Sequence, residues 1–370
     1  MMRVGSFLSV LLGSCLSAMA SVSMADTSPR IIGGHAASVG EHEYFASLLI
    51  AYNWDSGETS LTPQQSTRYS WNSFCGGSYI GNKTVITAAH CIKDLPSSGT
   101  LHLLVGNYSD TGMQWEYCAD EGAAVYSCQG RNTANEELTG FHPTGWTMYT
   151  GNEAEIIEVS MSDIIIHQQY STNTLINDIA IIPLPQLINN PALTLPTSDL
   201  FKTLASSTDT GNVQVIGHGD TISDNDSKTF QASAQLLEVD VTARTNTECR
   251  AFFGSQYIEG HMICAGDSGL DSCQGDSGGP LIEPDSDTLL GVVSWGPDVC
   301  GASGTSYGVY ANVFTHVEWI ESGGLAGFSG GMVSVNENGD TIRMGNSVAG
   351  SLGVGVLLVS GLLLWRRRSW

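Results

Sequence analysis

Charge is scarce in this sequence: Asp, Glu, Lys and Arg together make up 14% of 370 residues. Basic side chains are the scarcest, with 14 Lys and Arg against 37 Asp and Glu, and the formal net charge is −23. That balance argues against nucleic-acid binding, which needs a basic face for phosphates. Low charge beside 42% hydrophobic residues also argues against a disordered chain, whose composition runs the other way. An acidic surface serves solubility, and it also attracts basic substrates. No two cysteines have the C-x-x-C spacing usual in zinc sites, so the cysteines do not read as metal ligands. Internal repeats are absent, and so are long helical patterns set between the apolar runs.

Both ends of the chain read as targeting or processing segments. Residues 1–25 have the form of an export signal, in which Arg3 precedes the apolar run 7-FLSVLLGSCLSAMA-20. Small residues follow, and Ala18-Met19-Ala20 or Ser23-Met24-Ala25 precedes the expected cut. Cys15 leaves with this segment. The eight cysteines that remain imply disulfides formed in an oxidising compartment. The polar stretch 26-DTSPR-30 suits a short pro-segment. At the other end, 327–347 reads as a linker. After it, 348-VAGSLGVGVLLVSGLLLW-365 carries no charge and is followed by Arg366, Arg367 and Arg368. Eighteen such residues approach the roughly twenty needed to span a bilayer, so 348–370 is expected to be a transmembrane or sorting tail with its arginines on the cytoplasmic side.

Between these ends, residues 31–326 consist of short apolar runs separated by turn residues: 45–50, 79–89, 101–106, 179–184, 213–219, 235–241, 289–295 and 308–313. They are rich in Val, Ile and Tyr, and several alternate apolar with polar, which predicts an all-β barrel or sandwich. A short closing helix is expected at 314–322. The stretch 107–155 differs in being polar, acidic and aromatic. Its two cysteines, Cys118 and Cys128, stand ten residues apart, which suggests a small loop pinned by its own disulfide.

Three stretches have the residue types that nucleophilic catalysis needs. In 271-DSCQGDSGGP-280, glycines and aspartates surround Ser277. A serine hydroxyl is a weak nucleophile that needs a base and a group to orient that base. His90 follows an apolar strand and small alanines in 85-VITAAHC-91. Asp178 directly precedes the apolar run of 177-NDIAIIPL-184, where a carboxylate is partly buried and needs a partner. Taken singly, Ser277 also reads as a surface-turn residue, His90 as a structural histidine and Asp178 as part of a strand-capping turn.

Taken together, IIGG at 31, TAAHC at 87, NDIA at 177, GDSGGP at 275, SWG at 294 and GVY at 308 resemble, in order, the trypsin-like serine proteases of the chymotrypsin family. The resemblance covers residues 31 to about 326. It implies two six-stranded antiparallel β-barrels with a short C-terminal helix, and the expected tail helix would be separate from them. It also implies an endopeptidase in which Ser277 attacks the scissile carbonyl, His90 shuttles the proton and Asp178 holds the imidazole. The N–H groups of Gly275 and Ser277 would form the oxyanion hole, where such donors contribute on the order of 3 kcal/mol each. Ser294 matches the serine that bonds the triad aspartate. Asp271 matches the floor of the primary pocket, where a carboxylate selects Arg or Lys, and Gly296 and Gly308 match its walls. The resemblance further implies a zymogen cut between Arg30 and Ile31, whose new ammonium group would pair with Asp276. The activator would be a similar protease or this one. Disulfides matching the family are Cys75–Cys91, Cys249–Cys264 and Cys273–Cys300.

The chain departs from that family in places. His218 stands where Trp is usual, and Tyr307 replaces the commoner Pro before Gly308. Asn107 occupies a position usual for a calcium ligand, although 151-GNE-153 resembles the far end of that loop. No cofactor or metal is expected. The tail resembles the bacterial GlyGly-CTERM sorting signal, which implies an exported protein at the cell surface or outside the cell and a sorting protease as a partner. The rival reading is a non-catalytic binding protein on the same fold.

Overall fold

The computed structural model describes residues 31–38, 40–53, 59–61, 69–107, 156–220, 233, 235–297, 299–302 and 306–325, with side chains left out at 52–53 and 69–71. It adds backbone strands at 114–115, 126–131, 137–142, 333–335 and 341–343. The expected export signal, the pro-segment with Arg30, the side chains of Cys118 and Cys128, and the tail at 348–370 lie outside the described residues, as does 151-GNE-153. Among the described residues no helix is long and apolar enough to cross a membrane.

Among the described residues most strands lie in two antiparallel sheets. The first runs, in hydrogen-bonded order, Ile157–Ser160, Thr100–Val105, Phe45–Asn53, Tyr69–Tyr79, Thr84–Thr87, Ala180–Pro183 and Ile165–Ile166. The second runs His35–Ala36, Leu237–Val241, Val213–Gly217, Pro280–Glu283, Thr288–Trp295, Gly308–Asn312 and Met262–Ala265. Among the described residues each of these sheets has six strands of four residues or more. The rest are two-residue strands: Ile165–Ile166, Thr59–Ser60 and Gln114–Trp115 in the first sheet and His35–Ala36 in the second. Two residues carry no readable periodicity, which is why the sequence gives no sign of them.

Strand composition follows burial. In Ile157–Ser160 buried and exposed residues alternate, as in a strand with one face in a core. Thr288–Trp295 is buried along nearly its whole length, and its run of Leu and Val carries no alternation. One apolar cluster, including Leu48, Ile86, Leu101, Leu103 and Ile181, fills the first sheet. A second, including Ile31, Val215, Leu237, Val239, Leu281 and Tyr310, fills the other. A fully buried side chain of this size contributes about 1.5–3 kcal/mol.

The closing helix is Val313–Glu321. Asn312 caps it by accepting from Phe314 N at 3.1 Å, and Trp319 on its inner face is wholly buried. Within the stretch expected as a linker, Val333–Val335 and Thr341–Arg343 pair as an antiparallel hairpin. Within the extra loop, Tyr126–Arg131 pairs with Glu137–His142.

Candidate active site

Strand register brings His90 and Asp178 together. Thr84–Thr87 pairs antiparallel with Ala180–Pro183, and Thr87 stands opposite Ala180. Continuing that register by two residues sets Asp178 opposite the start of the short helix Ala89–Lys93, which carries His90. His90 Nδ1 lies 2.7 Å from Asp178 Oδ2, and the His90 backbone N–H donates to Asp178 Oδ1 at 2.8 Å. Ser294 Oγ donates to Asp178 Oδ2 at 2.5 Å. Asp178 is wholly buried, so these three donors replace the water it has lost. The Cys75–Cys91 disulfide ties the residue after His90 to the first sheet.

Ser277 lies next to the second sheet and meets the first through a glycine contact. Gly76 N–H donates to Ser277 O at 2.7 Å, and Gly278 N–H donates to Val293 O at 2.9 Å. A Cβ on Gly278 would lie 2.4 Å from Gly76 O and 2.3 Å from Thr87 Oγ1, so only glycine permits this approach. Cys91 Sγ lies 3.8 Å from His90 Nε2 and 3.7 Å from Ser277 O, which puts the histidine and the serine on either side of one sulfur. Among the described residues no hydrogen bond joins Ser277 Oγ to His90, and such links often tighten only when substrate binds. Gly275 has φ +95°, a backbone conformation that L side chains rarely adopt. Among the described residues the N–H groups of Gly275 and Ser277 have no acceptor, which leaves two donors beside the hydroxyl.

Asp276, between those two residues, is wholly buried. Its oxygens accept from Gly219 N at 2.7 Å and Cys273 N at 2.8 Å. Burial pushes its carboxyl up to about 7. Ile31 is also wholly buried, and Ile32 packs against the disulfide-bonded Cys273 and Cys300.

Asp271 is 1% exposed, and burial pushes it up to about 6. Its Oδ2 accepts from Ser306 Oγ at 2.7 Å and more weakly from Gly301 N at 3.4 Å. Its Oδ1 has no hydrogen-bond partner among the described residues. A Cβ on Gly308 would lie 3.0 Å from Asp271 Oδ1 and 2.6 Å from Ser272 Oγ. A Cβ on Gly296 would lie 3.8 Å from Gly308 Cα, so the two glycines are close neighbours, and Gly308 lies against the carboxylate.

The family model described as Trypsin matches residues 31–116 and 143–320. The chain belongs to the trypsin family. This trypsin-like protein is a serine endopeptidase, a hydrolase. Trypsin-1 of Astacus astacus is 34% identical to it over 229 residues, which cover 57% of this chain and 89% of that protein. Trypsin delta of Drosophila melanogaster is 28% identical over 295 residues, covering 79% and 88%. The CLIP domain-containing serine protease B4 of Anopheles gambiae is 30% identical over 308 residues, covering 79% and 69%. The family match leaves out 117–142, which lies inside the loop that the sequence marks as extra.

Several neighbours of the protease's site escape a reading of motifs. Asn177 has φ +55°, and its Oδ1 lies 3.1 Å from His261 Nδ1 and 3.0 Å from His316 Nε2, contacts that hold the turn just before Asp178. Ser306 holds the buried Asp271 carboxylate through its Oγ. Gly217 and Gly219 flank Asp276 so closely that a Cβ on either would lie 2.1–2.4 Å from its carboxylate. The pattern GHG around His218 is the sole sequence sign of that crowding. His218 is itself buried, donates from Nδ1 to Ser233 O at 3.0 Å and packs edge-on against Phe45 at 5.6 Å. Beside Gly296 a cavity of about 700 Å³ opens, with Leu175, Phe252, Phe253 and Trp295 among its walls. The three disulfides Cys75–Cys91, Cys249–Cys264 and Cys273–Cys300 form as the family resemblance implies.

Proposed function

We propose that this protein is an exported, trypsin-like endopeptidase that is made as a zymogen and cleaves after Arg or Lys. The observation that supports the specificity is Asp271: a buried carboxylate next to Gly308, with one oxygen unpartnered among the described residues. An uncompensated buried anion favours a cationic guest. The guest's guanidinium or ammonium enters between Gly296 and Gly308, which places the next carbonyl beside Ser277. Ser277 Oγ forms a bond to the carbonyl carbon, and its proton passes to His90 Nε2. The carbonyl oxygen becomes an oxyanion facing the N–H groups of Gly275 and Ser277. As the C–N bond breaks, His90 returns the proton to the departing amine. Water repeats the sequence on the acyl-enzyme and releases the acid. Asp178 holds the histidine with Nδ1–H toward itself, which leaves Nε2 as the base. Substrate residues before the cleaved bond lie against Trp295 and the mixed polar and apolar cavity next to it.

Activation follows from the burial of Ile31 and Asp276. In the intact chain the Ile31 nitrogen is an amide. Among the described residues no ion pair forms with Asp276. A cut after Arg30 would free an ammonium to neutralise this carboxylate and hold the loop 271–280. The folded-state value of Asp276 lies above the ordinary 3.8, so the folded state binds more protons than the unfolded state between about pH 4 and 7. The intact chain is therefore expected to lose stability as pH rises through that window, on the order of a few kcal/mol. Asp276→Asn should reduce the slope. Urea unfolding of uncleavable Arg30→Gln protein at pH 4, 5.5 and 7 measures this, and equal slopes in the two proteins would discard the assignment.

Export and an extracellular or cell-surface location are supported by the disulfides and by the signal-like and tail-like ends, and the tail would meet a membrane or a sorting protease. The enzymatic reading is tested with protein whose N-terminus is Ile31, assayed on ester substrates that differ only in the residue before the cleaved bond. Arg and Lys esters are expected to be hydrolysed, and Phe and Ala esters far more slowly. Absence of turnover would return the protein to the binding-protein reading, and a preference for Phe or Ala would remove Asp271 from the pocket floor.

A further inference from the structure

Three side chains with metal-ligating atoms, Glu41, His42 and Glu238, converge near the start of the domain, and a fourth, His35, meets Glu238. The strand His35–Ala36 pairs with Leu237–Val241 in a register that sets His35 opposite Glu238. His35 Nε2 lies 2.9 Å from Glu238 Oε1, and His42 Nε2 contacts the other oxygen, Oε2. Glu41, His42 and Glu238 place ligand atoms within 4.8 Å of one another. Glu238 is 8% exposed and the His42 side chain 11%, whereas His35 is 67% exposed and Glu41 faces solvent, so the cluster has a buried floor and an open mouth.

The hydrogen bond behind His42 bears on what stands between it and Glu238. Tyr44 Oη lies 2.7 Å from His42 Nδ1. A phenol both donates and accepts, so it can take the His42 Nδ1–H. In the neutral imidazole the lone pair is then on Nε2, aimed at an oxygen of Glu238. In that tautomer two acceptors face each other and a metal ion between them would satisfy both, whereas in the other tautomer Nε2–H donates to Glu238. The first arrangement, in which a second-layer partner holds the far nitrogen, is typical of metal-binding histidines.

We propose that His35, Glu41, His42 and Glu238 bind one divalent ion of the zinc type. Two imidazoles and two carboxylates suit zinc, whereas calcium takes six to eight oxygens. The two carboxylates match the charge of the ion. Cys75, His90 and Cys91 also cluster, but the two cysteines are disulfide-bonded and offer no thiolate. A metal held between His35 and Glu238 fastens the first strand of the domain to the second sheet, four residues after Ile31.

The test uses Ser277→Ala protein, stripped with a chelator and titrated with zinc chloride or calcium chloride, with binding heat and melting temperature as readouts. Zinc is expected to bind at about one ion per chain and to raise the melting temperature, and calcium to do neither. His42→Asn keeps a residue that tolerates φ +54°, and His35→Ala alters an exposed position, so both variants should fold. Each should weaken zinc binding about tenfold or more. His90→Ala should leave the zinc response unchanged. No zinc binding by the parent protein, unchanged affinity in either His42→Asn or His35→Ala, or loss of binding in His90→Ala would overturn the proposal.

Discussion

Replacing Ser277 by Ala is expected to lower kcat on an Arg ester by about 10⁶-fold while leaving the fold intact. The hydroxyl does little for stability. Ser277 is partly exposed, and among the described residues its Oγ makes no hydrogen bond to His90. What anchors the loop is backbone: the Ser277 carbonyl accepts from Gly76 N–H, and the next residue donates to Val293. Neither bond involves the side chain, so the melting temperature should barely move. His90→Ala should cost a similar factor in rate for a different reason, because it removes the proton acceptor. It should also lower stability, since Asp178 is wholly buried and would lose one of its three donors. The two residues act on one proton transfer, so the double variant should be no slower than either single variant. Its residual rate would report the oxyanion donors and substrate binding alone. Steady-state kinetics beside thermal melts separates these effects. Ser277→Ala within tenfold of the parent would remove Ser277 from the role of nucleophile.

The residues of that site were legible where the chemistry constrains the backbone locally. Gly275 and Gly278 stand in the sequence because φ +95° and a 2.4 Å approach to Gly76 O admit nothing else. Such demands leave a dense cluster of glycines around a serine, and the cluster can be read without a structure. The alanines before His90 and the apolar run after Asp178 are legible in the same way, because both residues sit at the ends of paired strands. Partners that come from distant parts of the chain were not legible. Ser306 looks like any loop serine until it donates to Asp271 across 35 residues. His261 and His316 meet at Asn177, and nothing local to either points there. Fold reading failed along the same line. Tyr69–Tyr79 is one of the longest strands, yet YSWNSFCGGSY mixes polar residues with two glycines and has no alternation. It is a strand because Phe45–Asn53 and Thr84–Thr87 pair with its two edges, a tertiary cause that propensity does not carry.

Asp271→Asn should abolish the preference for Arg and Lys, lowering kcat/KM on those substrates by about 3–5 kcal/mol, or roughly 10²- to 10⁴-fold. The amide has nearly the shape of the carboxylate and can still accept from Ser306, so the pocket keeps its form and loses its charge. Hydrolysis of a Phe or Ala ester, slow in the parent, should change little, because those substrates never use the unpartnered oxygen. Stability should move the opposite way. Burial raises Asp271 from the ordinary 3.8 to about 6, so the free enzyme holds this group against its tendency to bind a proton. The folded state binds more protons than the unfolded state between about pH 4 and 6, and stability falls as pH rises through that window. Above pH 6 the full cost of the buried anion is present in the free enzyme, and Asn does not carry it. The variant should therefore melt at or above the parent temperature at pH 7.5, while the two converge near pH 4. An Arg substrate or a small guanidinium inhibitor should reverse that order by supplying the missing cation. For the parent enzyme, KM on Arg esters should rise as pH falls below about 6, when Asp271 takes up its proton. A variant that loses Arg hydrolysis but melts well below the parent at pH 7.5 would mean that Asp271 is held by a cation of the protein itself.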